Sequence, residues 1–207
     1  MKNIYQKLSI KDGNRHTSLS RLEGEFLYQF IKQHNIKKTL EIGLAHGVSA
    51  AYILAATGAI HYAIDPFQDS EKYTNSGLEN LIKLGLDKKL KFFPEFSAMV
   101  LPKLIGRNLH FDMVLMDASH KFDDIFVDFY FIENLLNLNG FILIHDVWSP
   151  QVGTLMNWIA TNKRNFARIE IACDSFACVQ KIKSDDRKWF EFYQFEVVKD
   201  GSVSRYL

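Results

Sequence analysis

The stretch Thr39-Leu40-Glu41-Ile42-Gly43-Leu44-Ala45-His46-Gly47-Val48-Ser49 decides the fold. Strand-forming residues run to Ile42, two glycines bracket a tight loop, and Ser49-Ala50-Ala51-Tyr52-Ile53-Leu54-Ala55-Ala56 continues as an apolar helix. A strand, a glycine turn and a helix start put backbone N–H groups beside an open sheet edge, a place to hold a polar ligand. Glu41 sits just before the loop, where a carboxylate can meet a cationic or hydroxyl-bearing ligand.

Upstream, Ser20-Arg21-Leu22-Glu23 has the capping-box pattern, and Phe26, Leu27, Phe30 and Ile31 recur at helical spacing. These signals predict a helix over 21–34, a first strand over 38–43 and a crossover helix over 48–57. Gly58 stops that helix, and a second strand covers 59–65. A polar loop, a helix over 77–84, a third strand over 89–93, the loop Pro94-Glu95-Phe96-Ser97 and a short helix over 98–105 follow. The fourth strand covers 111–117. Phe122, Ile125, Phe126, Phe129, Ile132, Leu135 and Leu136 line one face of the next helix, with Asp123 and Asp124 in its first turn and Asn139-Gly140 as its stop. A fifth strand over 141–146, a helix over 152–161 and two strands, 168–173 and 176–181, complete the pattern. Asp174-Ser175 between the last two is short enough for an antiparallel pair. The aromatic stretch 189–198 is expected to pack as a last element or to mediate association.

Five strands alternating with helices and then a hairpin predict an α/β fold, a mostly parallel sheet with an antiparallel edge. A length of 207 residues suits one domain over 1–207: a loose arm over 1–17, a core over 18–181 and a C-terminal extension over 182–207. A net charge of +1 gives no nucleic-acid footprint, and Lys2, Lys7, Lys11 and Arg15 suit a solvated tail. No apolar run reaches the length of a membrane span, and no signal-peptide core is seen, so a cytoplasmic location is expected, without membrane or nucleic-acid partners. Cys173 and Cys178 have no His nearby and read as buried hydrophobes in a reducing compartment.

In such sheets ligands bind beyond the carboxyl ends of the strands. Five consecutive strands end in candidate groups: Glu41 and Gly43; Asp65; Phe96 and Ser97 in the exit loop; Asp117 with His120 three residues on; and His145 with Asp146. Asp65 follows Gly43 by 22 residues, close to the ~20-residue offset at which a carboxylate meets the ribose of a bound nucleoside. Gly43-x-x-x-Gly47 lacks the G-x-G-x-x-G spacing of a pyrophosphate site, which points to a nucleoside ligand without a pyrophosphate.

Glu41-x-Gly43-x-x-x-Gly47, Asp65, the Phe96-Ser97 loop, Asp117 and the strand at 140–146 resemble the ordered motifs of class I S-adenosylmethionine-dependent methyltransferases. The resemblance runs over roughly residues 18–181. It is greatest to small bacterial O-methyltransferase-like proteins, which are related to the catechol and macrolide-sugar O-methyltransferase groups. It implies a Rossmann-like seven-stranded sheet with helices on both faces and S-adenosylmethionine as cofactor. Glu41, Gly43, Gly47 and Ser49 would surround the methionine part, Asp65 would accept from the ribose hydroxyls, and Phe96 and Ser97 would border the adenine. Asp117 and Ala118 would lie beside the sulfonium.

His120 stands where the catechol enzymes carry a lysine base and the macrolide-sugar enzymes a histidine. A histidine titrates in the range needed to take a hydroxyl proton, and a divalent ion lowers the pKa of that hydroxyl. The metal-dependent relatives place carboxylate or amide oxygens at the fifth-strand pair. Asp146 matches this and His145 departs from it. Asp117, Asp146 and His145 are thus candidate ligands for Mg²⁺ or another divalent cation; the imidazole points to a softer ion or to none. Alternatively, His145 is a second base or a substrate contact. Trp148 and the 67–73 loop are candidate walls of an acceptor pocket, with core filling the other reading of Trp148. His46 is expected to pack on the cofactor or face solvent, and Glu23 and Gly24 to lie on helix surface.

The resulting expectation is a methyltransferase acting on a small-molecule hydroxyl, with a homodimer compatible with seventeen Phe residues and the aromatic C-terminal segment. Two other classes compete: an NAD(P)-dependent oxidoreductase on a similar sheet, disfavoured by the missing glycine fingerprint, and a non-catalytic S-adenosylmethionine-binding protein, disfavoured by the retained Asp117, His120 and Asp146. No stretch specifies the acceptor.

Overall fold

The computed structural model describes residues 4–10 and 17–199. Seven strands form a mixed sheet of order β3-β2-β1-β4-β5-β7-β6, the expected architecture. The chain divides into two compact units, Met1–Val100 and Leu101–Leu207.

In the first unit, α1 (Ile4–Lys7) is followed by α2 (Arg21–Gln33), β1 (Thr39–Ile42), α3 (Val48–Thr57), β2 (His61–Ile64), α4 (Ser76–Lys83) and β3 (Leu90–Phe93); α5 (Ser97–Gly106) comes next in the chain. The capping box forms as read: Glu23 N–H donates to Ser20 Oγ at 3.3 Å, and Ser20 N–H to Glu23 Oε2 at 2.6 Å. Gly24 is not helix surface. It is buried, and a Cβ there would lie 2.3 Å from the Tyr52 ring of α3, so only glycine lets α2 approach α3. Strand β1 is buried along its whole length. It runs parallel to β2, with Thr39 beside His61 and Glu41 beside Ala63, and β2 runs parallel to β3.

The N-terminal segment departs from a loose arm where it is described. Ile4 and Leu8 pack on a core of Leu44, Ala50, Ala51, Leu54, Ala63 and Leu81. Ser9 N–H donates to Asn80 Oδ1 at 2.8 Å, and Asn80 Nδ2 donates back to Ser9 O at 3.0 Å. The rest of that arm, 1–3 and 11–16 with Lys2, Lys11 and Arg15, lies outside the described residues, as do 200–207 of the C-terminal extension.

In the second unit the elements are β4 (Phe111–Met116), α6 (Phe122–Leu135), β5 (Leu136–His145), α7 (Pro150–Asn162), β6 (Phe166–Arg168) and β7 (Phe176–Lys181). Strand β5 is parallel to β4 and antiparallel to β7, which pairs antiparallel with β6. Most boundaries fall within two residues of the expected ones; two elements, β5 and β6, depart further. Asn139-Gly140 does not stop α6. The helix passes directly into β5 at Leu136, and Asn139, at φ 65°, sits where the pairing jumps from Phe111↔Leu136 to Met113↔Phe141. Strand β6 is Phe166–Arg168, not 168–173, because those three residues are the ones in register with Lys181, Gln180 and Val179.

Residues 182–199 form no helix or strand, yet they are tied to α7. The Asn162 amide donates to Tyr193 O at 2.8 Å and accepts from Tyr193 N–H at 2.9 Å, and Thr154 Oγ1 accepts from Val198 N–H at 3.0 Å. Buried Lys163 bridges Glu133 at 2.5 Å and Asp185 at 2.7 Å. No helix among the described residues is long and apolar enough to cross a membrane.

Candidate active site

The glycine loop after β1 is held in an unusual backbone shape. Gly43 (φ 96°), Ala45 (φ 45°) and Gly47 (φ 72°) all have positive φ. A Cβ on Gly47 would lie 2.8 Å from Gly77 O, and one on Gly77 would lie 2.6 Å from Ala45 O. The two glycines therefore allow the loop and α4 to touch backbone to backbone.

Asp65, at the end of β2, is the hub of this loop. Its Oδ2 accepts from Leu44 N–H at 3.1 Å, Ala45 N–H at 2.9 Å and Gln68 Nε2 at 3.1 Å, and its Oδ1 from Phe67 N–H at 2.8 Å. Buried Gln68 also donates to Ala45 O at 2.7 Å and accepts from Gly77 N–H at 3.2 Å. Oδ2 is thus occupied, while Oδ1 has one partner and room for a hydroxyl donor.

Glu41 and Ser49 are brought together: Ser49 Oγ–H donates to Glu41 Oε2 at 2.6 Å. Glu41 is 0% exposed. Behind it lies His61, its Nε2 3.3 Å from Glu41 Oε1 and its Nδ1 2.9 Å from Thr39 Oγ1. His46 is neither packed on an open cofactor site nor facing solvent. It is buried, 2.6 Å from Ser76 Oγ through Nδ1, with its ring edge-on to Tyr73.

Phe96 is exposed and makes an edge-to-face pair with exposed Phe67 at 5.8 Å between centroids. This aromatic pair, at the ends of neighbouring strands β2 and β3, can border a flat heteroaromatic ring. Ser97 begins α5 beside it.

The second unit gathers the remaining candidates. His120 Nε2 lies 2.7 Å from Asp146 Oδ2. His145 Nδ1 lies 3.1 Å from Asp117 Oδ1 and 3.3 Å from Asp146 Oδ1, and Trp148 Nε1 donates to Asp146 Oδ1 at 2.7 Å. Trp148 is exposed, so core filling is not its role. Asp146 has φ 57°, a costly conformation for a non-glycine residue that turns its carboxylate into this cluster. The hydrogen bond to Asp146 raises the pKa of His120 above the ordinary histidine value; partial burial opposes this, and the charges of Asp146 and Asp117 add to it. Burial disfavours the charge on Asp146, but hydrogen bonds from His120, His145 and Trp148 outweigh it and hold the carboxyl well below its usual range. One ligand atom each from Asp117, His120 and Asp146 converges within 4.8 Å. Two carboxylates and an imidazole fit a divalent cation that accepts mixed oxygen and nitrogen ligands. His145 stands beside this group, bonded to both carboxylates. Ala118 is exposed, next to Ser119, whose Oγ–H donates to Asp124 Oδ2 at 2.6 Å.

Three residues were not singled out as site groups by sequence reading. His61 sits in a buried strand; the one available signal was a second polar residue in register with Thr39. Gln68 and Phe67 follow Asp65-Pro66 in a loop read only as polar and acceptor-facing; in the structure Gln68 also holds the glycine loop and Phe67 pairs with Phe96.

Residues 40–147 match the family described as "Methyltransferase domain". Two Arabidopsis thaliana proteins share 36% identity with the chain. One, named "Putative caffeoyl-CoA O-methyltransferase", aligns over 119 residues, covering 56% of this chain and 47% of its own length. The other, "Tapetum-specific methyltransferase 1", aligns over 120 residues, covering 56% and 48%. The chain thus spans about half the length of the curated relatives it matches. Among solved structures, the O-methyltransferase TomG from Streptomyces achromogenes, in complex with S-adenosylmethionine, superposes with a TM-score of 0.74 at 16% identity, covering 88% of this chain and 91% of TomG.

Proposed function

The chain belongs to the methyltransferase-domain family, and from that premise we propose that it transfers a methyl group from S-adenosylmethionine to a hydroxyl of a small molecule. The names of its relatives as O-methyltransferases support oxygen as the acceptor atom. The observation that carries the reading is the His120–Asp146 pair at 2.7 Å.

When bound, the cofactor supplies an electrophilic methyl on a sulfonium, and a divalent ion supplies Lewis acidity at the acceptor oxygen. Phe67 and Phe96 border the adenine. Asp65 Oδ1 accepts from a ribose hydroxyl while Oδ2 keeps the glycine loop in shape. Glu41, Gly43, Gly47 and Ser49 serve the methionine part, and Ser97, Asp117 and Ala118 complete the cofactor contacts. His120 takes the acceptor's proton, and Asp146 stabilises the imidazolium that results. Asp117 and Asp146 hold the divalent ion, braced by His145 through its Nδ1–H. The convergence of Asp117, His120 and Asp146 favours a second reading of the ion-bound protein, in which His120 is a third ligand. Cys173 and Cys178 are not joined in a disulfide, which suits the cytoplasmic setting expected from sequence.

The test is formation of S-adenosylhomocysteine from S-adenosylmethionine across a panel of phenols, sugars and hydroxy acids, with and without Mg²⁺ or Mn²⁺. Loss of a general base costs about 10²–10⁴-fold in rate, so His120→Ala is expected to fall in that range for any accepted substrate. Turnover unaffected by His120→Ala would remove His120 from the chemistry. A His120→Ala rate restored by raising the metal concentration would favour the ligand role.

A further inference from the structure

We infer that the exposed aromatic face of residues 188–197 is an interface between two copies of this chain, paired about a two-fold axis. The segment lies beyond residues 40–147, the part of the chain that matches the methyltransferase family, and its role is separate from the proposed chemistry.

The inner side of the segment is fixed on α7. Asn162 holds Tyr193 through two hydrogen bonds, Asn157 Nδ2 donates to Glu196 O at 2.9 Å, and Thr154 Oγ1 accepts from Val198 N–H at 3.0 Å. The Arg164 guanidinium lies 4.6 Å from the centre of the Tyr193 ring. Nearer β7, Asp185 accepts from Lys163 and from Arg187, each at 2.7 Å. Anchors at both ends therefore pin a stretch that has no helix or strand, and its outer side chains are held in place.

That outer side is apolar. Trp189 is 95% exposed, Phe190 62% and Phe192 67%, and Val197 is exposed as well. Trp189 and Phe190 make an edge-to-face pair with centroids 5.5 Å apart, and Phe192 and Phe195 make another at 6.3 Å. The rings thus order one another before any partner arrives. At about 150–250 Å² per aromatic side chain, the exposed parts of this group offer on the order of 600 Å². Monomeric proteins rarely leave a larger apolar patch than that open to water. Two such patches face to face bury about 1,200 Å², the size at which stable, specific interfaces begin.

Charge selects the occupant. From Lys183 to Lys199, four basic and four acidic residues cancel, so the segment has no net pull toward nucleic acid or an anionic membrane. Exposed Lys188 stands at one end of the aromatic run and exposed Glu196 at the other. A two-fold operation exchanges the ends: each Lys188 meets Glu196 of the other copy, while Phe192, midway between them, meets its own counterpart. A strip with opposite charges at its two ends is complementary to its own inverted copy, which is what an isologous interface requires.

The experiment is sedimentation velocity on the full chain over a dilution series, without cofactor. The wild type should sediment as a dimer that dissociates on dilution. Trp189→Ser should raise the dimer dissociation constant by at least about thirty-fold, the loss of one interface hot spot, and Phe192→Ser should act in the same direction. Trp189 is almost wholly exposed, so the far-UV circular dichroism spectrum of its variant should match the wild type, which separates lost association from lost folding. Lys188→Glu and Glu196→Lys should each weaken the dimer about two- to five-fold, and the double exchange should restore it. Leu22→Ser, which removes an exposed apolar side chain from α2, is the control and should change nothing. A wild type that is monomeric at every concentration overturns the inference, and co-sedimentation of that monomer with phosphatidylcholine–phosphatidylserine vesicles would assign the patch to a membrane instead. A dimer indifferent to both Trp189→Ser and Phe192→Ser, or weakened equally by Leu22→Ser, also overturns it. Failure of the double exchange to restore association overturns the two-fold pairing. Every one of these outcomes leaves the methyltransferase reading standing, because no cofactor takes part.

Discussion

Replacing Asp65 by alanine should destabilise the protein even in the absence of any cofactor. The carboxylate accepts from three backbone N–H groups, Leu44, Ala45 and Phe67, and from Gln68 Nε2, at 2.8–3.1 Å. It is 4% exposed, so these donors have little access to water. Each buried donor stripped of its acceptor costs about 1–3 kcal/mol. Water entering the polar space left behind recovers part of that, so a net loss of about 3 kcal/mol is expected. At about 2–4 °C per kcal/mol for a chain of this size, the melting temperature should fall by about 6–12 °C. Far-UV circular dichroism melts of the ligand-free protein measure this directly. The neighbouring exposed Asp69→Ala is the control and should move by no more than about 2 °C. A shift in Asp65→Ala as small as the control's would mean that the carboxylate does not hold the glycine loop. In that case any loss of cofactor binding would have to come from the ribose contact alone.

Other outcomes follow from the same contacts. Gly77→Ala drives a Cβ to 2.6 Å from Ala45 O and 2.8 Å from the Gln68 amide oxygen, so urea titration should show about 1–3 kcal/mol of destabilisation, whereas Gly106→Ala, in open space, should be near neutral. The pKa of His120 is raised by Asp146, and a base must be unprotonated. The acid limb of the rate–pH profile should therefore lie above the ordinary histidine value of 6.5 and move down in Asp146→Asn. In stability the sign is opposite: the pair's contribution is full below 6.5 and is lost as pH rises through the folded value, which paired melts of wild type and His120→Ala across that range would detect. Lys163→Met leaves buried Glu133 without its cation and cuts the bridge to Asp185. A loss of about 3–5 kcal/mol in chemical denaturation is expected, nearer the lower figure because Asp185 is partly solvated.

Much of the fold was legible because local signals and burial agree. Helix α3 begins after Gly47 and ends before Gly58, and β7 follows the 173–176 turn, at the residues the pattern marks. Asn139-Gly140 misled because a positive-φ residue suits a helix stop and a strand irregularity equally well. Only the pairing of Leu136 with Phe111, a long-range fact, decides between them. The same holds for β6, whose extent is set by its register with β7 and not by its own residues. In the site, strand ends announced Asp65, Asp117 and Asp146, since polar residues closing apolar runs are conspicuous. Their partners were less visible. That Asp65 spends one oxygen on the loop amides, that Glu41 is sealed behind Ser49, and that His61 sits behind Glu41 all depend on contacts between strands, to which period and composition are blind. Trp148, for which pocket wall and core filling both stood open from sequence, is exposed, with its indole N–H donating to Asp146 Oδ1.

If this chain holds S-adenosylmethionine as a methyl donor, calorimetric titration of the full chain with S-adenosylhomocysteine, and with NAD(H) as the comparison, will separate the two cofactor classes. Saturable one-to-one binding of S-adenosylhomocysteine in the micromolar range is expected, weakened in Asp65→Ala, with no binding of NAD(H). Saturable binding of NAD(H) with none of S-adenosylhomocysteine would contradict the methyl-donor role.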